Sequence, residues 1–201
     1  MQAEVSGLDF SKLCACCFNN KNPGEICPHC RWQEGSPPDS PSFLPPRTIL
    51  HGKYILGKVL GQGGFGITYL AMDIDLGIKL AIKEFFPREF ASRSGGEFSV
   101  SVFSGSARTY FEEGLNKFLE EAKTLARLEG HPNIVSVRDF FRENGTAYLV
   151  MNFLDGSTLK EYLLTRSSRL DFQAAMQIIL PVMEALKEIH RHGILHRDIS
   201  P

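Results

Sequence analysis

The chain has no basic stretch followed by an apolar run within Met1–Phe10, so the pattern of a secretory leader is missing. No apolar run approaches the roughly 20 residues that a membrane-spanning helix needs, and Pro181 interrupts the best candidate. There is no charge excess either. The 22 Lys and Arg stand against 23 Asp and Glu, a formal net charge of −1. No global field therefore draws the chain to nucleic acid or anionic lipid. No internal repeat is evident, and tryptophan occurs once, at Trp32. Cysteine is missing everywhere except one short stretch, where five lie between Cys14 and Cys30. Clustering of that kind without an export signal argues for reduced thiols in a cytoplasm, and for metal over disulfides.

What is there fits a soluble globular protein: 201 residues, 43% hydrophobic and 22% charged, enough for one ordinary domain and a small one. Four regions follow from composition. Residues 1–35 hold the cysteines. Residues 36–48 contain five prolines and read as a semi-rigid extended linker. Residues 49–154 read as strands around one helix, and residues 155–201 as mainly helical. Strand candidates are Tyr54 to Leu60, Thr68 to Met72 and Lys79 to Phe85. Ile134 to Phe141 and Thr146 to Met151 form a strand pair turned at Asn144-Gly145. Leu115 to Leu128 has helical spacing. Residues 87–110 are rich in Ser, Gly and Arg, and Val100 and Val102 suggest a short exposed hairpin there. The whole is expected to be α+β.

Cys14-x2-Cys17 and Cys27-x2-Cys30 are separated by nine residues, with Pro23-Gly24 between them. Tetrahedral zinc takes four soft ligands from two tight turns, and this spacing offers them. A module this small has almost no core, so the metal would supply its folding energy. Cys16 is surplus and His29 lies inside the second pair; either is a substitute ligand, though four cysteines are the simpler set. Four thiolates leave no open position, so the zinc would be structural. The competing reading is a tail with incidental cysteines.

Leu60-Gly61-Gln62-Gly63-Gly64-Phe65-Gly66-Ile67-Thr68 follows a strand candidate. Glycines let backbone amides approach phosphate closely. The residues that follow are mostly β-branched or aromatic, which favours a hairpin over the helix of a dinucleotide-binding loop. Lys83 comes seventeen residues after Gly66. Alternation puts Ala81, Lys83 and Phe85 on one face of a strand and Leu80 and Ile82 on the other. A lysine among apolar neighbours needs an anion or a partner, or it snorkels to water. On the helix, Glu121 shares a stripe with Phe118, Ala122 and Leu125, so a Lys83–Glu121 pair is expected. The helix from Phe172 to His192 carries Ala175, Ile178, Ile179, Val182, Leu186 and Ile189 as a core face, and Gly193 ends it.

Glycine loop, Ala81-Ile82-Lys83, helix Glu121 and His196-Arg197-Asp198 stand in the order of a protein kinase. With Ala81-Ile82-Lys83-Glu84-Phe85-Phe86-Pro87 and His131-Pro132-Asn133-Ile134-Val135, residues 49–201 resemble bacterial serine/threonine kinases. The resemblance implies an antiparallel N-lobe sheet with one helix, then the first helices of a C-lobe. The cysteine pairs resemble zinc-ribbon knuckles. The kinase resemblance implies ATP as phosphoryl donor, with Gly61, Gly63 and Gly66 over the phosphates, Leu60 also at the nucleotide, and Lys83 on the α and β phosphates, fixed by Glu121. Thr68 and Ala81 would line the adenine pocket, Met151 would be the gatekeeper, and Asn152-Phe153-Leu154 the hinge. Asp198 would accept the proton of a protein serine or threonine hydroxyl. The chain departs from the family at Thr68, usually valine, and at Ser200, usually lysine. The magnesium ligands are expected beyond residue 201, so these residues by themselves are expected to be inactive. The alternative is a non-catalytic nucleotide-binding pseudokinase or zinc-dependent scaffold, with the cysteine module contacting a protein partner.

Overall fold

The structure is a computed structural model that describes residues 9–165 and 169–195. They divide into two compact units. One comprises Met1–Ala122 with Val137–Phe153, the other Lys123–Ser136 with Leu154–Pro201.

The first unit is built on a six-stranded antiparallel sheet. Its strands are β1 (Ile49–Leu50), β2 (Tyr54–Gln62), β3 (Gly66–Asp73), β4 (Lys79–Phe85), β7 (Val137–Glu143) and β8 (Thr146–Asn152), in the order β1-β2-β3-β4-β8-β7. Between β4 and β7 the chain makes a two-stranded ribbon, β5 (Ala91–Ser92) with β6 (Ser101–Val102), and then helix α1 (Ser106–Ala126). The β7–β8 turn falls at Asn144-Gly145, both with positive φ, the conformation a tight type I′ hairpin requires.

Alternation along β3 and β4 gives the sheet two different faces. Ile67, Tyr69 and Ala71 of β3 and Leu80 and Ile82 of β4 enter the main core with Tyr148 and Val150 of β8. Phe85 belongs to the other side of β4 and packs against Phe111 and Phe118 of α1, with ring centroids 5.3 and 5.6 Å away. A Cβ on Gly114 would stand 2.8 Å from the Phe85 ring, so glycine in mid-helix is what lets α1 lie so close.

The helix starts at Ser106, nine residues before the expected start at Leu115. Its first turns bury only Phe111, so they show no apolar stripe in the sequence. Two other segments also differ from expectation. Residues 36–48 do not run as a free linker. Leu44 is 1% exposed in the main core, and its N–H donates to the Tyr69 hydroxyl at 3.2 Å. Thr48 and Arg47 exchange backbone hydrogen bonds with Leu56. Proline withholds donors but does not stop Phe43 and Leu44 from reaching apolar surface. The ribbon of residues 91–102 is anchored rather than exposed: Val100 is buried and its N–H donates to the Asn144 carbonyl at 2.8 Å.

The second unit contains α2 (Leu159–Thr165) and α3 (Phe172–Arg191). Asp171 caps α3, its carboxylate accepting from the Ala174 N–H at 2.8 Å. Of the expected core face of α3, Ile189 is buried, whereas Ile179 and Val182 are exposed. No described helix is long and apolar enough to cross a membrane.

Candidate nucleotide site and cysteine centre

The glycine loop joins β2 to β3, and the Gly63 N–H closes it on the Gly66 carbonyl at 2.9 Å. Residues 61–65 are exposed. A Cβ on Gly61, Gly63 or Gly64 would meet nothing within 4 Å, so packing does not demand glycine there. What bare backbone supplies at these positions is open access to its amides. Gly66 differs. A Cβ on it would stand 2.5 Å from the Glu84 carbonyl oxygen and 3.6 Å from the Lys83 side chain. Glycine at position 66 therefore lets the end of the loop lie directly on the strand that carries the lysine.

Register fixes which residues share that face. Thr68 lies opposite Lys83, and Lys83 opposite Leu149; Leu70 lies opposite Ala81, and Ala81 opposite Met151. Thr68, Ala81, Lys83 and Met151 thus stand on one face of the sheet beside the loop. Leu60 is 40% exposed at the loop's approach, and Asn152, half-buried, accepts from Arg138 at 2.7 Å. Leu154 lies in the other unit and is exposed.

The expected Lys83–Glu121 ion pair is not made in this structure. Both side chains are exposed. The stripe that α1 turns inward runs through Phe111, Leu115, Phe118 and Ala122, and Glu121 falls at its edge. The carboxylate that is buried on β4 is the lysine's neighbour. Glu84 is 0% exposed and receives hydrogen bonds from Tyr69 (3.0 Å), Tyr148 (2.9 Å) and the Arg93 guanidinium, which holds both its oxygens. Arg93 also donates to the Ser42 carbonyl at 2.6 Å and the Phe98 carbonyl at 3.0 Å. A buried ion pair survives when its remaining donors and acceptors are satisfied, and here they are. Burial, then the Glu84 charge, pushes the Tyr69 and Tyr148 hydroxyls well above the usual phenol range. Nothing in the sequence near Glu84 marks its partner, and Arg93 is one of three arginines in the Ser-, Gly- and Arg-rich residues 87–110. His196, Arg197, Asp198 and Ser200 lie outside the described residues.

The cysteines form two turns of the same construction. In the first, the Cys14 N–H donates to the Asn19 carbonyl and the Phe18 N–H to the Cys14 carbonyl, and Phe18 has φ 57°. In the second, the Cys27 N–H donates to Trp32 and the Arg31 N–H to Cys27, and Arg31 has φ 63°. This repeat is invisible in the sequence because the two turns share only their cysteines. The Sγ atoms of Cys14, Cys17, Cys27 and Cys30 all lie within 4.8 Å of one another. Cys14–Cys30 and Cys17–Cys27 are 3.6 and 3.7 Å apart. A tetrahedral ion with Zn–S bonds of about 2.3 Å sets its sulfurs about 3.8 Å apart, so the four thiols fit one. Burial raises the Cys27 thiol, but hydrogen bonds from the backbone of Cys30 and His29 outweigh it and lower the group to about 6. Burial pushes Cys17 and Cys30 up to about 12. Cys16 is half-buried, and its thiol is also raised by burial. Among the described residues, Cys14, Cys17, Cys27 and Cys30 are the group that could hold a metal ion.

Known proteins carry the same frame. Residues 54–201 match the model of the protein kinase domain. The chain is 34% identical over 152 residues to the serine/threonine-protein kinase PrkC of Bacillus subtilis, covering 76% of this chain and 20% of that protein. It is 32% identical over 156 residues to the probable serine/threonine-protein kinase PknB of Lactococcus lactis, covering 76% and 21%. It thus spans about a fifth of the length of these curated relatives. Among solved structures, the apo form of PpkA-294 superposes with a TM-score of 0.71 at 36% identity, over 79% of this chain and 56% of that one. Sheet, loop, lysine and relatives agree that the chain belongs to the protein kinase domain family.

Proposed function

We propose that this chain is the ATP-binding part of a serine/threonine protein kinase that transfers the γ-phosphoryl group of ATP to protein hydroxyls. The observation that carries the reading is the placement of Lys83 on one sheet face with Thr68, Ala81 and Met151, directly beneath Gly66. A cation there meets phosphates held by the amides of Gly61 and Gly63, and positioning with charge neutralisation is most of what phosphoryl transfer asks of a protein. Adenine would sit against Thr68, Ala81 and Met151 and meet the backbone of Asn152. Glu121 is the acid the family pairs with the lysine, and the exposed positions of both leave them free to meet when nucleotide is bound. Asp198 would be the proton acceptor, and Mg2+, whose ligands in the family follow the His-Arg-Asp segment, would supply charge neutralisation when bound.

The test is phosphoryl transfer from radiolabelled ATP to a generic protein substrate by the intact kinase. Lys83→Met and Asp198→Asn are each expected to lower the rate about a hundredfold or more, as loss of a preorganised charge does. Full activity in both variants would overturn the assignment of these residues, whereas no transfer by the parent enzyme would favour a non-catalytic nucleotide-binding scaffold.

The cysteine centre reads as a structural zinc site held by Cys14, Cys17, Cys27 and Cys30. The equal construction of its two turns and the sulfur spacing support this. Free thiols with metal suit the reducing cytoplasm. Metal analysis of freshly reduced protein is expected to give about one zinc per chain; none would remove the reading.

A further inference from the structure

The first cysteine turn is seated on the kinase sheet, on the same face as Lys83. Strand β3 shows this directly: Gly66, Thr68, Leu70 and Met72 alternate onto one face, and the last two pack with Leu13, Phe18 and Ile55. Phe10, Ile74 and Phe153 close around that cluster, and Phe153 is the central residue of the expected hinge. Lys79, at the start of β4, donates to the Asn19 side chain at 3.1 Å.

The tightest contact falls on β2. The Cys16 carbonyl, between ligands Cys14 and Cys17, accepts the Lys58 N–H at 2.7 Å. A Cβ on Gly57 would stand 2.5 Å from that carbonyl oxygen and 2.9 Å from the Phe18 ring. Only glycine admits so close an approach. The β2–β3 ladder breaks register between Leu56 and Val59, and again between Val59 and Gly61. At this bulge Lys58 hydrogen-bonds the cysteine turn through its N–H. The glycine loop begins three residues later, at Gly61. The first cysteine turn therefore holds the strand that feeds the loop, and its own backbone is fixed by whatever fixes Cys14 and Cys17.

We propose that the four-cysteine site is a metal-dependent clamp on the glycine-loop strand, so that metal occupancy at the cysteines and the order of residues 58–66 rise and fall together. The proposal rests on the zinc reading above. Linkage makes it reciprocal: a ligand that orders the loop tightens the metal site by the same factor. Cys16 acts here through its carbonyl, as a positioning residue, which gives the intervening position of the first turn a role apart from metal ligation.

Hydrogen exchange of the 201-residue chain, with zinc bound and after chelation, tests this without any activity assay. Zinc removal is expected to speed exchange at Lys58 and at residues 59–66 by about tenfold or more, with the Ile82 and Val150 amides in β4 and β8 changing far less. A second variant keeps all four thiolates. Gly57→Ala displaces the Cys16 carbonyl, and it is expected to retain zinc while showing the fast loop exchange of the chelated protein. If zinc does not bind at all, the metal reading fails. If zinc binds and the exchange of residues 58–66 is the same with and without it, the clamp is wrong and the zinc reading stands. Equal loss of protection at Ile82 and Val150 would mean that the metal holds the whole sheet, and would also overturn the local clamp.

Discussion

Lys83 and Glu84 are neighbours on β4, and they live in opposite surroundings. Glu84 is fully buried and held by Arg93, Tyr69 and Tyr148. Lys83 is exposed and points under the glycine loop. The comparison extends to the two sheet faces they occupy. One is closed by Leu44, Ser42 and Arg93, and every buried polar side-chain atom among the described residues has a partner. The other is covered by α1 and the first cysteine turn over part of its area, and at its loop end carries bare glycine backbone and Lys83, which has no ion-pair partner among the described residues. The difference has a period of two: alternation puts one charge of the strand into a buried network and, on the proposed reading, gives its neighbour to phosphate binding.

The closed face is where disruption should cost most. Arg93→Met leaves the Glu84 carboxylate buried without its cation, and breaking such a pair costs about 3–5 kcal/mol. Denaturant unfolding should show this as a large fall in midpoint. Replacing both partners, Glu84→Gln with Arg93→Met, should recover much of the loss, because no uncompensated charge remains. A double variant as unstable as the single one would show that the network's hydrogen bonds, and not its charge balance, dominate.

Within the loop the two kinds of glycine should separate. Gly66→Ala forces a methyl against the Glu84 carbonyl and should cost about 1–3 kcal/mol, as overpacking does. Gly63→Ala meets open space and should stay within about 0.5 kcal/mol. Equal effects would erase the distinction between glycine kept for packing and glycine kept for access.

The smallest effect concerns pH. Tyr69 and Tyr148 titrate above their unfolded value of about 10 because burial and the Glu84 charge oppose the phenolate. Above that pH the unfolded chain releases protons that the folded one retains, so stability, full below about pH 10, falls as pH rises further. Tyr54, raised by burial and by Asp139, acts in the same direction. Unfolding midpoints should hold up to about pH 10 and decline between about pH 10 and 12, less steeply in Tyr148→Phe. A flat profile in the parent would contradict the buried network.

Much of the open face was legible in the sequence. Glycines, Ala81-Ile82-Lys83 and the Asn144-Gly145 turn are local signals, and each element they mark is present. The closed face was not, because its partners are far apart in the chain. Arg93 lies in a Ser-, Gly- and Arg-rich stretch that reads as a short exposed hairpin, and Leu44 lies among prolines that read as a linker. Their roles exist only once the sheet brings Tyr69, Glu84 and Tyr148 together. The cysteine spacing announced a metal-type cluster but not its seat on β2, since the sole sequence trace of that seat is Gly57, one glycine among eighteen. The Lys83–Glu121 pairing was expected from helical spacing and from the family order, whereas the stripe that α1 buries runs through Phe111, Leu115 and Ala122 and leaves Glu121 at its edge.

The central claim is that adjacent residues on β4 serve different ends. Phosphoryl transfer by the intact kinase, compared between Lys83→Met and the Glu84→Gln/Arg93→Met pair below the unfolding transition of each, tests it most directly. The account predicts a loss of about a hundredfold or more for Lys83→Met, and a rate within about threefold of the parent for the double variant. Equal losses in the two, or a Lys83→Met enzyme that keeps its rate, would contradict it.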